Sequence, residues 1–375
     1  MKKQKLRIAI LDSVRNPVPS KGVIQASSRI ALRIADGMAM RGHDITLFGA
    51  KGSRSKANVR TGGIRPASRT PLFRLIKHEP PGAQARERER AINLYEGLGL
   101  AELYREHSRR PFDVVHLHRA HHALPQAALF PSLPHLFTFH DEATPLRRFA
   151  YKHYAMPNIH FVALSKRQRQ LGKDIPWAGI VPNGIDVNRY RFSDRPERRL
   201  VFAGRLVEEK GAHLAIAAAK RVRWPLRIIG PRTFQTLTDT GYWERQVEPL
   251  LDSRIRYAGF LPPAKLAEEY SRAAAVLMPI DWEEPFGLVS VEAMACGTPV
   301  IGFRRGALPE IIKDGTTGFL VDDVAGMVQA IRRVQEIDRT ACRRHVERHF
   351  TADMMVGRYE DLYFDLARAR RKRRS

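Results

Sequence analysis

The chain has 375 residues, 43% of them hydrophobic and 27% charged, and a formal net charge of +25. That is enough chain for two domains and enough apolar residue for large cores, which excludes a wholly disordered protein. The two cysteines, Cys296 and Cys342, exclude a disulfide framework, and no stretch reads as a membrane span.

Residues 1–11 are basic and then apolar, but the apolar run is too short for a signal peptide and meets Asp12. A reducing cytoplasm is the expected compartment. Residues 6–11 predict a strand opening on a loop over 12–22. Residues 27–40 predict an amphipathic helix with Ile30, Ile34 and Met38 on one face and Ser27 or Ser28 as its cap. Arg41-Gly42-His43-Asp44 stops it and residues 45–48 form the next strand, a βαβ unit that opens a doubly wound domain. Residues 51–69, rich in Gly, Ser, Lys and Arg, predict a loop, and residues 87–106 a charged helix. Residues 113–118 read as a buried strand ending in a His. His121 and His122 follow, but no further ligands fall at the spacing of a closed zinc site, and no metal is expected. Residues 135–141 predict another strand, ending at His140. Ligands gather at the carboxyl ends of parallel strands, although a lone His there is usually incidental. Residues 159–164 are a further strand, with Ser165 capping the helix after it.

In the second half, residues 200–203 predict a strand, followed by Gly204-Arg205-Leu206-Val207-Glu208-Glu209-Lys210-Gly211 and an alanine-rich helix over 212–222. Residues 226–230 are a strand, 242–251 a helix, 255–261 a strand and turn. The apolar run 274–280 reads as a buried strand, after which Pro285 and Gly287 break the chain. From Leu288 the pattern turns helical, with Leu288, Val291 and Ala295 on one side, until Gly297-Thr298-Pro299 ends it. The turn offers the backbone N–H groups of Phe286, Gly287 and Leu288 at a helix start, which suits phosphate or a sugar hydroxyl. Glu284 stands in the turn and Glu292 a little over one turn into the helix. A carboxylate can accept from two adjacent sugar hydroxyls, yet acids around a helix start also serve merely as complements to its dipole. A strand over 315–321 and helices from 325 onward close the chain, the last over 351–369.

Glu284-Pro285-Phe286-Gly287-Leu288, followed by Glu292-Ala293-Met294-Ala295-Cys296-Gly297, resembles the carboxylate signature of retaining family-4 glycosyltransferases. Their GT-B fold is α/β, with two facing Rossmann-like domains, a cleft between them and a C-terminal helix crossing back to the first domain. Arg41-Gly42-His43, Thr138-Phe139-His140-Asp141, Val181-Pro182-Asn183-Gly184-Ile185-Asp186 and Gly204-Arg205 with Glu209-Lys210-Gly211 are similar to further motifs of that family. The resemblance implies an acceptor-side domain over 1–182, joined by a helix at about 351–370, and a nucleotide-sugar domain over 183–350. It implies that Glu284 contacts the transferred sugar and Glu292 the ribose. Arg205 and Lys210 would grip the donor diphosphate, an Arg fork and a Lys point charge that neutralise the leaving nucleotide. The base would lie near Gly230 and Phe260, and His140 by the reacting end of the sugar. There is one departure. The family usually carries Gly-Gly-x-Glu at the first helix start, where this chain has Gln25-Ala26-Ser27-Ser28, with Gly22 as the candidate flexible point touching the donor.

The expected activity is transfer of a sugar from a UDP- or GDP-linked donor to a hydroxyl of a saccharide, a lipid-linked or a small-molecule acceptor, with retention and with neither cofactor nor metal. No protein nucleophile is evident. A non-hydrolysing nucleotide-sugar epimerase of the same fold is the alternative enzyme. An NAD enzyme is disfavoured because no G-x-G-x-x-G follows the first strand. A non-catalytic polyanion binder is supported by charge alone. Residues 1–190 hold 32 Lys and Arg against 14 Asp and Glu, a net +18, and residues 191–375 hold 32 against 25, a net +7. Such a surface attracts nucleic acid, anionic lipid or anionic saccharide, nucleic acid being the least expected here. Residues 368–375 form a basic tail, expected to be mobile, that serves either solubility or peripheral contact with an anionic membrane.

Overall fold

The computed structural model describes residues 4–20, 26–71, 76, 81–118, 120–142, 144–232 and 241–372. They divide into two units, Met1–Pro182 with Ala352–Ser375, and Asn183–Thr351.

The first unit is built on a seven-stranded sheet in the order β3-β2-β1-β4-β5-β6-β7, parallel throughout. Its strands are β1 (Arg7–Leu11), β2 (Asp44–Phe48), β3 (Asn58–Arg60), β4 (Val114–Leu117), β5 (His135–Thr138), β6 (Ile159–Ala163) and β7 (Trp177–Ile180). The central strands are continuous runs of buried residues, not alternating ones, because helices cover both faces of a parallel sheet. Those helices include α1 (Ala26–Met40), α2 (Pro81–Arg109), α3 (Ala120–Ala128), α4 (Pro145–His153) and α5 (Lys166–Leu171). Ser165 caps α5 as expected, its Oγ accepting from Gln168 N at 3.2 Å. Ser28 does not cap α1. The helix already begins at Ala26, and the Ser28 hydroxyl donates to Asp12 at the end of β1. The segment 51–69 is more than a loop. Parallel pairing with β2 draws 58–60 into the sheet edge, and Ala67–Arg69 is a 3-10 turn.

The second unit carries a six-stranded parallel sheet in the order β10-β9-β8-β11-β12-β13. Its strands are β8 (Leu200–Ala203), β9 (Leu226–Ile229), β10 (Ile255–Tyr257), β11 (Ala275–Met278), β12 (Val300–Phe303) and β13 (Gly318–Val321). The helices are α6 (Ala212–Val222), α7 (Pro263–Arg272), α8 (Leu288–Ala295), α9 (Leu308–Ile311), α10 (Val324–Arg332) and α11 (Arg339–His349). The helix expected over 242–251 is instead a π-helical turn, Trp243–Val247, running into a 3-10 turn, Glu248–Leu250. Pro249 lacks an N–H and cannot continue an α-helical ladder.

The final helix, α12 (Ala352–Lys372), belongs to the first unit and lies along α1. Gly37 permits the approach, since a Cβ there would stand 2.6 Å from Val356 Cγ2. Arg41 and His43 fix the pair through Glu360, at 2.8 and 3.1 Å. The helix runs on into the segment expected to be a mobile tail. Arg370 Nη1 donates to Phe112 O at 2.6 Å and Arg371 Nη1 to Gln4 Oε1 at 2.8 Å, so a backbone and a side-chain acceptor engage two of the tail's cations. Residues 373–375 lie outside the described residues. No described helix is long and apolar enough to cross a membrane.

Both sheets share one topological property. β1 neighbours β4, and β8 neighbours β11, so the chain leaves these central strands in opposite directions. The loops at their carboxyl ends diverge and leave a crevice, where ligands bind in open α/β sheets.

Candidate functional site

In the second unit the loops after β8 and β11 meet at that switch point. Gly211 makes the contact possible. It sits at φ 72°, and a Cβ on it would come within 2.1 Å of Pro279 O. Asp281 N also donates to Glu209 O at 2.8 Å. The approach brings Lys210 from one loop to Glu284 on the other as an ion pair, with side chains 15% and 14% exposed. Trp282 completes the group. Its Nε1 donates to Glu284 Oε2 at 3.0 Å, and its ring lies under Lys210 Nζ at 4.4 Å. Arg205 stands on the same loop as Lys210 but is paired with Glu209 at 2.9 Å. Two cations are thus held by exchangeable carboxylates, an arrangement that a polyanionic ligand can enter by replacing those carboxylates.

The expected helix start is present. Gly287, at φ 91°, begins α8, and no described side chain caps it. Phe286 contributes backbone alone, because its ring is buried against Phe350, 5.9 Å between centroids. Leu288 is half-buried. The Glu284 turn is clamped from behind, Ala307 N donating to Glu284 O at 2.9 Å, and a Cβ on Gly306 would reach 2.4 Å from Glu284 N. The helix α8 is enclosed, for Ser290 to Ala295 are all buried. Glu292 is therefore enclosed, 4% exposed, and its Oε1 accepts from Tyr190 OH at 2.9 Å. Glu284 and Glu292 take different partners.

Gly230 follows β9 and packs directly on the loop that bears Arg205. A Cβ there would stand 1.7 Å from Gly204 O. Its N–H donates to Gly259 O at 2.9 Å and its carbonyl accepts from Tyr257 OH at 2.8 Å. Phe260 is half-buried just beyond. The Arg232 guanidinium lies 4.5 and 4.6 Å from the ring centroids of Trp243 and Tyr257. Trp282, Tyr190 and this aromatic pair were not legible as site residues, since each acquires a partner only when distant loops converge.

In the first unit, His140 lies half-buried beyond β5, its Nε2 2.8 Å from Nδ1 of His118 beyond β4. His118 is 3% exposed and its ring centroid lies 4.3 Å from that of His116. His116 Nε2 meets Thr138 Oγ1 at 2.7 Å and Nδ1 meets Tyr363 OH, on α12, at 2.6 Å. Tyr359 OH bonds the same Thr138 hydroxyl at 2.7 Å. Burial lowers His116 to about 3 and takes His118 well below the ordinary range, each further lowered by neighbouring imidazoles. The rings of His116 and His118 thus have protein partners. Among the described residues, no three His, Cys, Asp or Glu side chains are grouped to hold a metal ion. At the end of β1, buried Asp12 accepts from Ser28, and Ser13 donates to buried Glu96. Gly22 lies outside the described residues.

A seven-stranded and a six-stranded doubly wound parallel sheet, each in its own unit, define the GT-B fold class of glycosyltransferases. Residues 27–189 match the family model described as Glycosyltransferase Family 4, and residues 197–336 that described as Glycosyl transferases group 1. The chain belongs to the family-4 glycosyltransferases. It is 32% identical over 281 residues to glycogen synthase of Mycobacterium tuberculosis, 66% of each chain. It is 30% identical over 223 residues to D-inositol 3-phosphate glycosyltransferase of Geodermatophilus obscurus, 51% of this chain and 48% of that one. The match thus spans about two thirds of the first relative and about half of the second. In fold, the chain is similar to sucrose-phosphate synthase from Thermosynechococcus elongatus, with a TM-score of 0.73 at 20% identity over 97% of this chain and 100% of that one. It is likewise similar to Anabaena HepE, solved in complex with UDP and glucose, with a TM-score of 0.70 at 17% identity over 95% and 98%.

Proposed function

We propose that the chain transfers a sugar from a nucleoside-diphosphate sugar to a hydroxyl acceptor, with retention at the anomeric carbon. The observation that carries this is the Lys210–Glu284–Trp282 group at the switch point of the second unit. A phosphate-binding cation and a sugar-binding carboxylate hold one another there. The donor diphosphate takes Lys210 and Arg205, and Glu284, released, accepts from hydroxyls of the transferred sugar. Glu292 meets the ribose in exchange for a partner it now holds, and the base lies by the backbone at Gly230 and Phe260. His140 contacts the sugar.

In the transfer step, the bond from the anomeric carbon to the phosphate oxygen breaks as the acceptor oxygen bonds to that carbon on the same face. The acceptor proton passes to the departing phosphate oxygen. The chain's part is to position the reactants and to stabilise the charge that builds on the diphosphate. Lys210, Arg205 and the N–H groups at the start of α8 meet that charge, so transfer is expected without a divalent ion.

Calorimetry with UDP and with GDP tests the donor site first. Wild-type protein that binds neither at millimolar concentration refutes the reading. Free nucleoside diphosphate that appears only when an acceptor is added favours transfer, whereas an epimerised nucleotide sugar formed without acceptor favours the epimerase. The anomeric configuration of the product, read by NMR, checks retention, and full activity in chelator checks independence of metal.

A further inference from the structure

The two imidazoles at the carboxyl ends of β4 and β5 are His118 and His140, with 2.8 Å between His118 Nδ1 and His140 Nε2. At that distance one proton lies between the two nitrogens, and it belongs to one ring or the other. We infer that His118 is a positioning residue which donates this proton from Nδ1, fixing His140 as the tautomer that carries its own proton on Nδ1.

The far side of the His118 ring decides which nitrogen donates. Its Nε2 is buried and has no hydrogen-bond partner among the described residues. If His140 were the donor, the proton of a neutral His118 would sit on Nε2, as a buried N–H with no acceptor. A buried N–H without an acceptor is less common than a buried acceptor with an unused lone pair. If His118 Nδ1–H is the donor, Nε2 holds only an unused lone pair. A doubly protonated His118 would put a charge in a buried position against the rings of His116 and His140. Burial and both neighbouring rings act against that charge. The arrangement that avoids both the orphan and the buried charge leaves His140 Nε2 as acceptor. His116 stiffens the support from behind, since both of its nitrogens are engaged, by Thr138 and by Tyr363. A fixed Nδ1–H then makes His140 a donor toward a hydroxyl oxygen of the sugar, not an acceptor from it.

This inference rests on the reading of His140 as a sugar contact, and its test separates the two. Full-length protein labelled with ¹⁵N at histidine, observed by long-range ¹H–¹⁵N correlation, reports which nitrogen of each ring is protonated. The His140 signals are assigned by their loss in His140→Gln. In the wild type, His140 is expected to show a bare Nε2 and a protonated Nδ1, and His118 a protonated Nδ1. A protonated Nε2 on His140 overturns the inference. His118→Asn keeps an amide N–H near the place of Nδ1 and should retain the His140 tautomer. His118→Leu should release it to a mixture and weaken UDP-glucose about five- to tenfold, with UDP unaffected because it lacks the sugar. Equal losses for UDP and UDP-glucose, or equal behaviour of the Asn and Leu variants, also overturn it. Should the Leu variant fail to fold, the wild-type spectrum and the Asn variant still decide. Should UDP-glucose not bind the wild type, that donor fails, while the spectrum still reads the tautomer.

Discussion

At Gly230 and Gly211 there is no room for a methyl group. A Cβ on Gly230 would stand 1.7 Å from Gly204 O, and one on Gly211 2.1 Å from Pro279 O, both backbone atoms that cannot swing aside. Gly230→Ala is expected to cost roughly 1–3 kcal/mol and to displace the loop that carries Arg205, so nucleotide binding should fall with stability. Gly259→Ala is the control, because nothing lies within 4 Å of its missing Cβ and its positive φ alone is penalised. Denaturant midpoints for the two variants check the contrast. Arg205→Ala and Lys210→Ala should each weaken nucleoside-diphosphate binding by roughly 1.5–3 kcal/mol with the fold intact. Unchanged affinity in both would remove them from the donor site. Lys210 and Glu284 were legible because they stand in a long motif. His118 was not, because nothing in Val115-His116-Leu117-His118 points across the sheet to His140.

Elements were legible where packing and local pattern agree. The strands around both switch points were found as buried apolar runs, and Ser165 was identified as a cap from its place before a polar helix. The edge strand β3 was missed, because a short segment with no apolar pattern becomes a strand only by pairing with β2. Arg339 shows a different limit. In so basic a chain it reads as one more surface charge, yet it is 8% exposed. Its guanidinium donates to Ser193 O, Ala273 O, Ser271 O and Thr298 Oγ1 at 2.6–3.0 Å. It thereby joins the approach to β8, the end of α7 and the turn after α8. Burial acts against its charge, and the four acceptors offset part of that desolvation. Arg339→Leu leaves buried carbonyls without a donor and is expected to destabilise the second unit by roughly 2–4 kcal/mol. A midpoint within error of wild type would show that water replaces the guanidinium.

For the whole molecule, the strongly basic sequence hides a set of buried imidazoles in the first unit that are disfavoured from taking up charge. His116 and His135 are held at about 3, and His118 well below its ordinary value, all chiefly by burial. An unfolded chain takes up these protons near pH 6.5 while the folded unit does not, so stability falls as pH drops below that point and continues to fall toward 3. Each histidine contributes up to roughly 1.4 kcal/mol per pH unit in that window, about 4 kcal/mol per unit for the three together. Thermal melts at pH 7.5 and 5.5 should show a lower midpoint for the first unit at the lower pH, with proton uptake on unfolding. A transition that does not move over this range would mean that these rings are solvated. Because the units can melt apart, each transition is to be followed separately.

The return of α12 to α1 makes the first unit discontinuous in sequence, whereas the second is one uninterrupted run. Tyr359 and Tyr363, which complete the hydrogen bonds of Thr138 and His116, are made more than two hundred residues after those partners, at separations of 221 and 247. The second unit therefore holds every strand and helix it needs without the last helix, while the first unit stays incomplete until that helix has docked. A chain truncated after residue 351 should yield a protease-resistant fragment from 183–351, with β4 and β5 open to cleavage in the absence of the last helix.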